Sequence, residues 1–273
     1  MSSHKDLAEI FRLAAETDLT YIESFAKRGN YPWGVLFWNA DNPTYYDANH
    51  AHIFDPVCEA EQTGVIEEVR AFYQAKNIIP RFYLYGREQH QSLIEQLKAK
   101  GFCLEELENP IQVWSGAFAQ VDQNPAISIE EVTDANYSEA LKVECSIQEL
   151  GGQEVREQAF AQEYRHPGFQ HYLLRLNGVP VSVACTFTHG SDVRVESVAT
   201  LREYRGQGLI GHLLLHIQQV FAQSAGTALW VHPINHLVEK VYKRYGFKTV
   251  GEIILVHAYA GGKGIKEIRE EQL

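Results

Sequence analysis

The sequence predicts an α/β (α+β) protein, with a mixed, mostly antiparallel twisted sheet flanked by helices, arranged as two tandem domains. Three observations carry this expectation. The chain has 273 residues, more than the roughly 100–200 residues of a typical domain. Apolar runs of period two alternate along it with runs of helical spacing. Asn177 and Gly178 stand between two such β-type runs, a strong hairpin signal that makes the flanking strands antiparallel.

The elements follow in order. In the first part, 52–54 reads as a strand, 57–74 as a helix, 81–85 as a strand and 89–100 as a helix that ends in Lys100, Gly101 and Phe102. The run from Tyr31 to Trp38 is rich in aromatic residues; it is expected to build core, with the lining of a substrate pocket as the alternative. The polar, proline-containing stretch 117–126 reads as a linker, so the expected domains are 1–118 and 126–273. After it, 127–132 alternates as a strand, and 137–149 and 153–164 have helical spacing either side of Gly151 and Gly152. The runs 171–176, 179–188 and 193–200 are strands, 209–221 an amphipathic helix, 228–231 a short buried strand and 237–245 a helix. A strand pair is expected over 247–259. The ending Tyr245, Gly246, Phe247 echoes the ending at 100–102, which suggests a distant internal duplication.

Composition is that of a globular protein, 45% hydrophobic and 22% charged. The formal charge of −11 argues against duplex DNA or an anionic membrane as partner, since both call for a basic surface. Cys58, Cys103, Cys145 and Cys185 form no C-x-x-C pair and are expected to be buried free thiols. The first 18 residues carry charges throughout and lack an apolar segment of about 7–15 residues, and no apolar run approaches the ~18 residues of a spanning helix. A cytoplasmic protein is expected.

The informative segment runs from Val195 to Gly211. A β-type run ends in a polar turn, and Arg205, Gly206, Gln207 and Gly208 lead into the helix that begins with Leu209, Ile210 and Gly211. Glycines there let backbone N–H groups approach a phosphate at the positive end of a helix, and Arg205 adds a cation. Gly206, Gly208 and Gly211 also spell G-x-G-x-x-G. A dinucleotide site, however, requires a carboxylate about 20 positions on, and none occurs before Glu239. That reading is set aside.

Over about 126–259 the sequence resembles the GNAT acetyltransferase superfamily. The resemblance rests on Arg205 to Ile210, similar to that family's R/Q-x-x-G-x-G/A loop, and on Asn235 to Phe247, similar to its run into Y-x-x-x-G-F. One departure is Ile210, where the family prefers Gly or Ala; its side chain is expected to turn into the helix–sheet core. The resemblance implies acetyl-CoA as cosubstrate, no metal, and transfer to an amine of a small molecule or peptide. It implies a wedge between the strands 195–200 and 228–231, with Val198, Ala199 and Thr200 along the cofactor's arm. Arg205, Gly206, Gln207, Gly208, Leu209, Ile210 and Gly211 would hold the pyrophosphate, and Asn235 would reach the arm or the phosphates. Tyr242 would protonate the leaving thiolate. The first part lacks such a loop and reads as a degenerate GNAT-like domain.

Two further assignments come from the residues themselves. An amine of pKa about 10 must lose a proton before it attacks, and Glu196, a carboxylate among apolar strand residues, is the candidate base. Alternation places it on one face with Val198 and Thr200, and burial would raise its pKa. His212 with His216, and His232 with His236, stand four apart, but no third metal ligand accompanies them. The first pair is expected to be structural, as are His50 and His52. The other pair flanks Asn235, which leaves it a role in binding as an alternative. A non-catalytic acyl-CoA sensor is the competing function.

Overall fold

A computed structural model describes residues 7–147 and 150–270 of the chain. Its elements are α1 (Leu7–Glu23), β1 (Lys27–Tyr31), β2 (Gly34–Trp38), β3 (His50–Ile53), α2 (Glu59–Gln74), β4 (Arg81–Tyr85), α3 (Gln91–Ala99), β5 (Cys103–Trp114), β6 (Ile127–Glu131), α4 (Tyr137–Cys145), α5 (Gly152–Arg165), β7 (Phe169–Leu176), β8 (Val179–His189), β9 (Asp192–Thr200), α6 (Leu209–Ala222), β10 (Ala228–Val231), α7 (His236–Arg244), β11 (Phe247–Tyr259) and α8 (Ile265–Glu270). The helix expected over 137–149 ends at Cys145; Gln148 and Glu149 lie outside the described residues. The strand pair expected over 247–259 is one strand of 13 residues. Sequence periodicity did not reveal α1, β1, β2 or β5. No described helix is long and apolar enough to cross a membrane.

The chain forms two compact units, 1–17 with 110–252 and 18–109 with 253–273. Compactness thus groups the residues differently from a single division at 118–126, and the unit boundaries fall inside α1, β5 and β11.

In the first unit β6, β7, β8 and β9 pair antiparallel in succession, β10 joins β9 in parallel, and the end of β5 pairs antiparallel with β10 through Gln112 and Val113. Asn177 at φ +51 and Gly178 at φ +79 make the tight β7–β8 turn, the left-handed pair such a hairpin requires. The central strands β7 and β8 are buried on both faces. Leu174, Val181, Ala184, Val195 and Leu229 pack with Leu213, Leu214 and Ile217 of α6 and Tyr242 of α7. Leu173 and Val183 pack on the opposite side with Ala140 and Val143 of α4 and Phe160 of α5.

In the second unit β1, β2 and β3 are antiparallel, β3 pairs in parallel with β4, and residues 255–259 of β11 pair antiparallel with β4. Leu36, Ile53, Phe82, Leu84 and Val256 bury against Ile66 and Val69 of α2 and Leu93 and Leu97 of α3. Thus Tyr31 to Trp38 is a hairpin with its β2 side in the core, as the aromatic run suggests. Gly34 has no freedom to change, since a Cβ there would lie 2.1 Å from the His52 carbonyl oxygen. All four cysteines are free thiols, but only Cys185 is buried; Cys58 precedes α2 and Cys103 opens β5, both exposed.

Candidate functional site

In the first unit the parallel pairing of β9 with β10 runs from Asp192 and Ala228 to Val195 and Val231. There β10 ends, while β9 continues to Thr200. The departure coincides with a bulge. Pairing with β8 steps from Cys185 and Glu196 to Val183 and Ala199, so two residues of β9 stand against one of β8. Ser197, at φ +50, supplies the left-handed conformation, which is uncommon outside glycine and marks local strain. The result is a stretch of β9, 196–200, whose side toward β10 pairs with no strand among the described residues.

The bulge also resets the alternation. Val195 and Val198 both pack with the α6 cluster, whereas Ala199 packs with the α4–α5 cluster. Glu196, next to Val195, therefore points to the opposite face from Val198. Strict alternation, which joins Glu196 to the face of Val198 and Thr200, fails because the extra residue shifts the phase by one. Nor is the Glu196 carboxylate isolated among apolar neighbours. It forms an ion pair with Arg194, their side chains 17% and 8% exposed. Thr200 is fixed twice: its hydroxyl lies 2.8 Å from Ser182 Oγ, and its carbonyl accepts from Arg205 Nε at 3.0 Å.

The loop after β9 makes one 3-10 turn, Arg202–Tyr204, before two left-handed glycines, Gly206 at φ +78 and Gly208 at φ +74. A Cβ at either would meet open space, so these glycines serve backbone conformation and approach, not packing. Gly208 caps α6 without any side-chain hydrogen bond, and the amides of Gly206, Gln207 and Gly208 make no backbone hydrogen bond among the described residues. Donors of this kind at a helix N-terminus form an anion cradle. The residues present therefore fit a diphosphate. Leu209 is buried and Ile210 half-buried, both in the α6 cluster, so the branched side chain of Ile210 joins the core. Gly211 differs from the other two glycines: a Cβ there would lie 2.5 Å from the Tyr245 ring, which makes it a helix-packing position.

Asn235 is the N-cap of α7, its Oδ1 accepting from Leu237 N at 3.0 Å and Val238 N at 2.9 Å. Its oxygen is committed to the helix, which leaves its Nδ2 as the group free to meet a ligand. Two turns along, Tyr242 is 6% exposed and stands edge-to-face with Phe247, centroids 5.5 Å apart. Burial pushes its hydroxyl above the ordinary tyrosine value, and the charges of Glu196 and Cys185 push it further. Tyr242 therefore keeps its proton at neutral pH.

The histidines singled out in the sequence make packing and local polar contacts. His212 and His216 are half-buried on α6, burial lowers both pKa values, and His216 sits edge-on to Tyr172 at 5.3 Å. His232 Nδ1 lies 3.2 Å from the Pro110 carbonyl and His236 Nδ1 3.0 Å from Glu239 Oε2. His50 and His52, in the second unit, are 1% and 0% exposed and contact each other and the Tyr83 ring.

One polar cluster escaped the sequence entirely. Arg156 of α5, 2% exposed, binds Glu144 of α4 at 2.9 Å and Glu163 of α5 through two contacts of 3.1 and 2.8 Å. Arg156 and Glu163 are seven apart and share a helix face, but nothing local distinguishes them from a solvated pair. Only the packing of α4 on α5 buries them. The Glu144 carboxyl is pushed up to about 7, by burial first, against the Arg156 charge and with the Glu163 charge.

Residues 137–247 match the model of the Acetyltransferase (GNAT) family. Among solved structures, the chain is similar to a GCN5-related N-acetyltransferase from Kribbella flavida, with 21% identity, a TM-score of 0.69 and coverage of 93% of this chain and 97% of that one. A protein described as functionally unknown from Staphylococcus epidermidis gives a TM-score of 0.67 at 11% identity, covering 87% and 95%. A tandem GNAT protein from the clavulanic acid biosynthesis pathway gives 0.56 at 16% identity, covering 92% and 93%. At these identities the likeness is one of fold. No curated protein sequence matches the chain.

Proposed function

Since residues 137–247 are a GNAT-family domain, we propose that this chain is an acyltransferase that moves an acetyl group from acetyl-CoA directly to an amine of a small molecule or peptide. The observation that carries the reading is the loop 205–208, with two left-handed glycines and free amides at an uncapped helix N-terminus, beside a strand whose partner has ended. When bound, acetyl-CoA supplies an activated thioester. The chain's own groups have the complementary tasks. The amides of 206–208 and the Arg205 guanidinium meet the diphosphate charge, the backbone of 198–200 on the side that pairs with no strand offers strand-like hydrogen bonds to an amide-bearing arm, and Asn235 Nδ2 can donate. Tyr242, held protonated, donates its hydroxyl proton to the leaving sulfur. Glu196 accepts the proton of the amine, with Arg194 holding its carboxylate in place.

In this reading residues 126–273 carry the chemistry and 1–118 derive from a degenerate copy of the same fold, in a cytoplasmic protein that has no nucleic acid, membrane or metal as partner. Thiol release from acetyl-CoA, followed across a panel of small-molecule and peptide amines, tests it. Turnover on at least one amine, above hydrolysis, is expected. Saturable CoA binding with no turnover on any amine would replace the enzyme by a sensor, and absence of CoA binding would remove both.

A further inference from the structure

The two units share a strand order. In one, β7, β8 and β9 are antiparallel and α6 crosses from β9 to the parallel strand β10. In the other, β1, β2 and β3 are antiparallel and α2 crosses from β3 to the parallel strand β4. The segment 54–58, between β3 and α2, is therefore the counterpart in topology of the loop 201–208. Its chemistry is inverted. Where one loop has Arg205 and two glycines, the other has Asp55 and Pro56; proline has no amide to donate, and the first turn of α2 carries Glu59 and Glu61. An anion has no cradle here.

The same place holds a groove of about 530 Å³, within the range of small-molecule sites, roughly 300–1,000 Å³. Its lining combines the aromatic residues Tyr31, Trp33 and Phe54 with the carboxylates Asp55 and Glu61 and contains no Lys or Arg. Tyr31 and Trp33 stack at 4.8 Å and 21° on one wall, and the Trp33 ring is fixed by its Nε1 donating to Glu68 Oε2 at 2.9 Å. Phe54 stacks on Tyr85 at 4.7 Å. Asp55 and Glu61 are exposed at the rim and have no salt-bridge partner among the described residues. Aromatic faces attract a cation through the ring quadrupole, and the carboxylates supply the counter-charge.

We propose that this groove binds a small organic cation, an ammonium or quaternary ammonium, against Tyr31 and Trp33 with Asp55 and Glu61 as counter-charges. The assignment does not rest on acyl transfer, and its test reads binding alone. Calorimetric titration of the full chain with choline and with butylammonium, against the neutral isostere 3,3-dimethylbutan-1-ol, should show saturable binding of a cation, tighter than the alcohol by roughly fivefold or more. Asp55→Asn with Glu61→Gln, both exposed and so compatible with folding, should weaken the cation by a similar factor at an unchanged melting temperature. Trp33→Leu should abolish the preference for cation over alcohol. The proposal is overturned if neither cation binds saturably, if the alcohol binds as tightly, or if the doubly neutralised variant binds unchanged.

Discussion

Gly208 joins a conformational need to a chemical one. Its φ of +74 suits glycine, yet a Cβ there would meet nothing within 4 Å, and aspartate is one of the few other residues that tolerates the left-handed region. Gly208→Asp should therefore fold and place a negative charge against the proposed diphosphate. CoA affinity by calorimetry should fall at least tenfold, about 1.4 kcal/mol or more; a folded variant with unchanged affinity would remove the loop from the site. Tyr242 permits a different separation. Its buried, protonated hydroxyl is assigned to the leaving sulfur, so Tyr242→Phe should lower kcat well beyond any change in cofactor affinity, and equal activity would exclude it as the acid. At this scale the sequence was informative where a residue's identity is tied to backbone chemistry. Gly206 and Gly208 were legible as turn residues because few others serve a left-handed turn at a helix start. Gly211 was not distinguishable from them, because its reason is Tyr245, thirty-four positions away.

At the scale of elements, periodicity found the strands and helices whose apolar faces are regular, and missed those whose pattern is broken. Strand β10 and strand β4 were read to the residue, and α6 to within one position. Strand β5 contains Glu105, Glu106, Glu108 and Pro110, a composition that depresses strand propensity. The bulge in β9 was invisible, since nothing about Ser197 announces a left-handed strand residue, and the face of Glu196 was misassigned as a result. The α4–α5 pair has its own consequence. The Glu144 carboxyl sits at about 7 in the folded protein against an ordinary glutamate value of about 4.3 when unfolded. A raised folded value means the folded state holds the proton longer. This stabilising contribution is complete below the unfolded value and is lost as pH rises through about 7. Calorimetric melting from pH 5 to 8 should therefore show wild type losing stability relative to Glu144→Gln as pH rises. A difference in melting temperature independent of pH would exclude Glu144 as the titrating group.

At the scale of the whole molecule, each compact unit is completed by chain from a distant part of the sequence. In one, β10 pairs with Gln112 and Val113 of β5, and Gln112 Nε2 also donates to the Glu239 carbonyl at 3.2 Å. In the other, β4 pairs with residues 255–259 of β11, and His257 Nδ1 meets Glu105 Oε1 at 2.6 Å while Arg81 NH1 donates to its Nε2 at 3.1 Å. A fragment of residues 126–273, the linear domain suggested by the linker, lacks the strand beside β10 and carries a strand without its partner β4. It should melt without cooperativity, or about 10 °C or more below the full chain, since loss of a paired strand removes several kcal/mol; equal, cooperative melting would show those strands to be dispensable. The sequence by itself determined the α/β class, the order of most elements, the resemblance of about 126–259 to a known family and the glycine turn at 206–208, because each is written in local periodicity and in glycines with a backbone task. Only the tertiary structure decided which strands complete which unit, which face Glu196 takes, why Gly211 is glycine, and that Arg156 and its two glutamates are buried. These depend on pairing and packing between residues far apart in the chain, which no local pattern records.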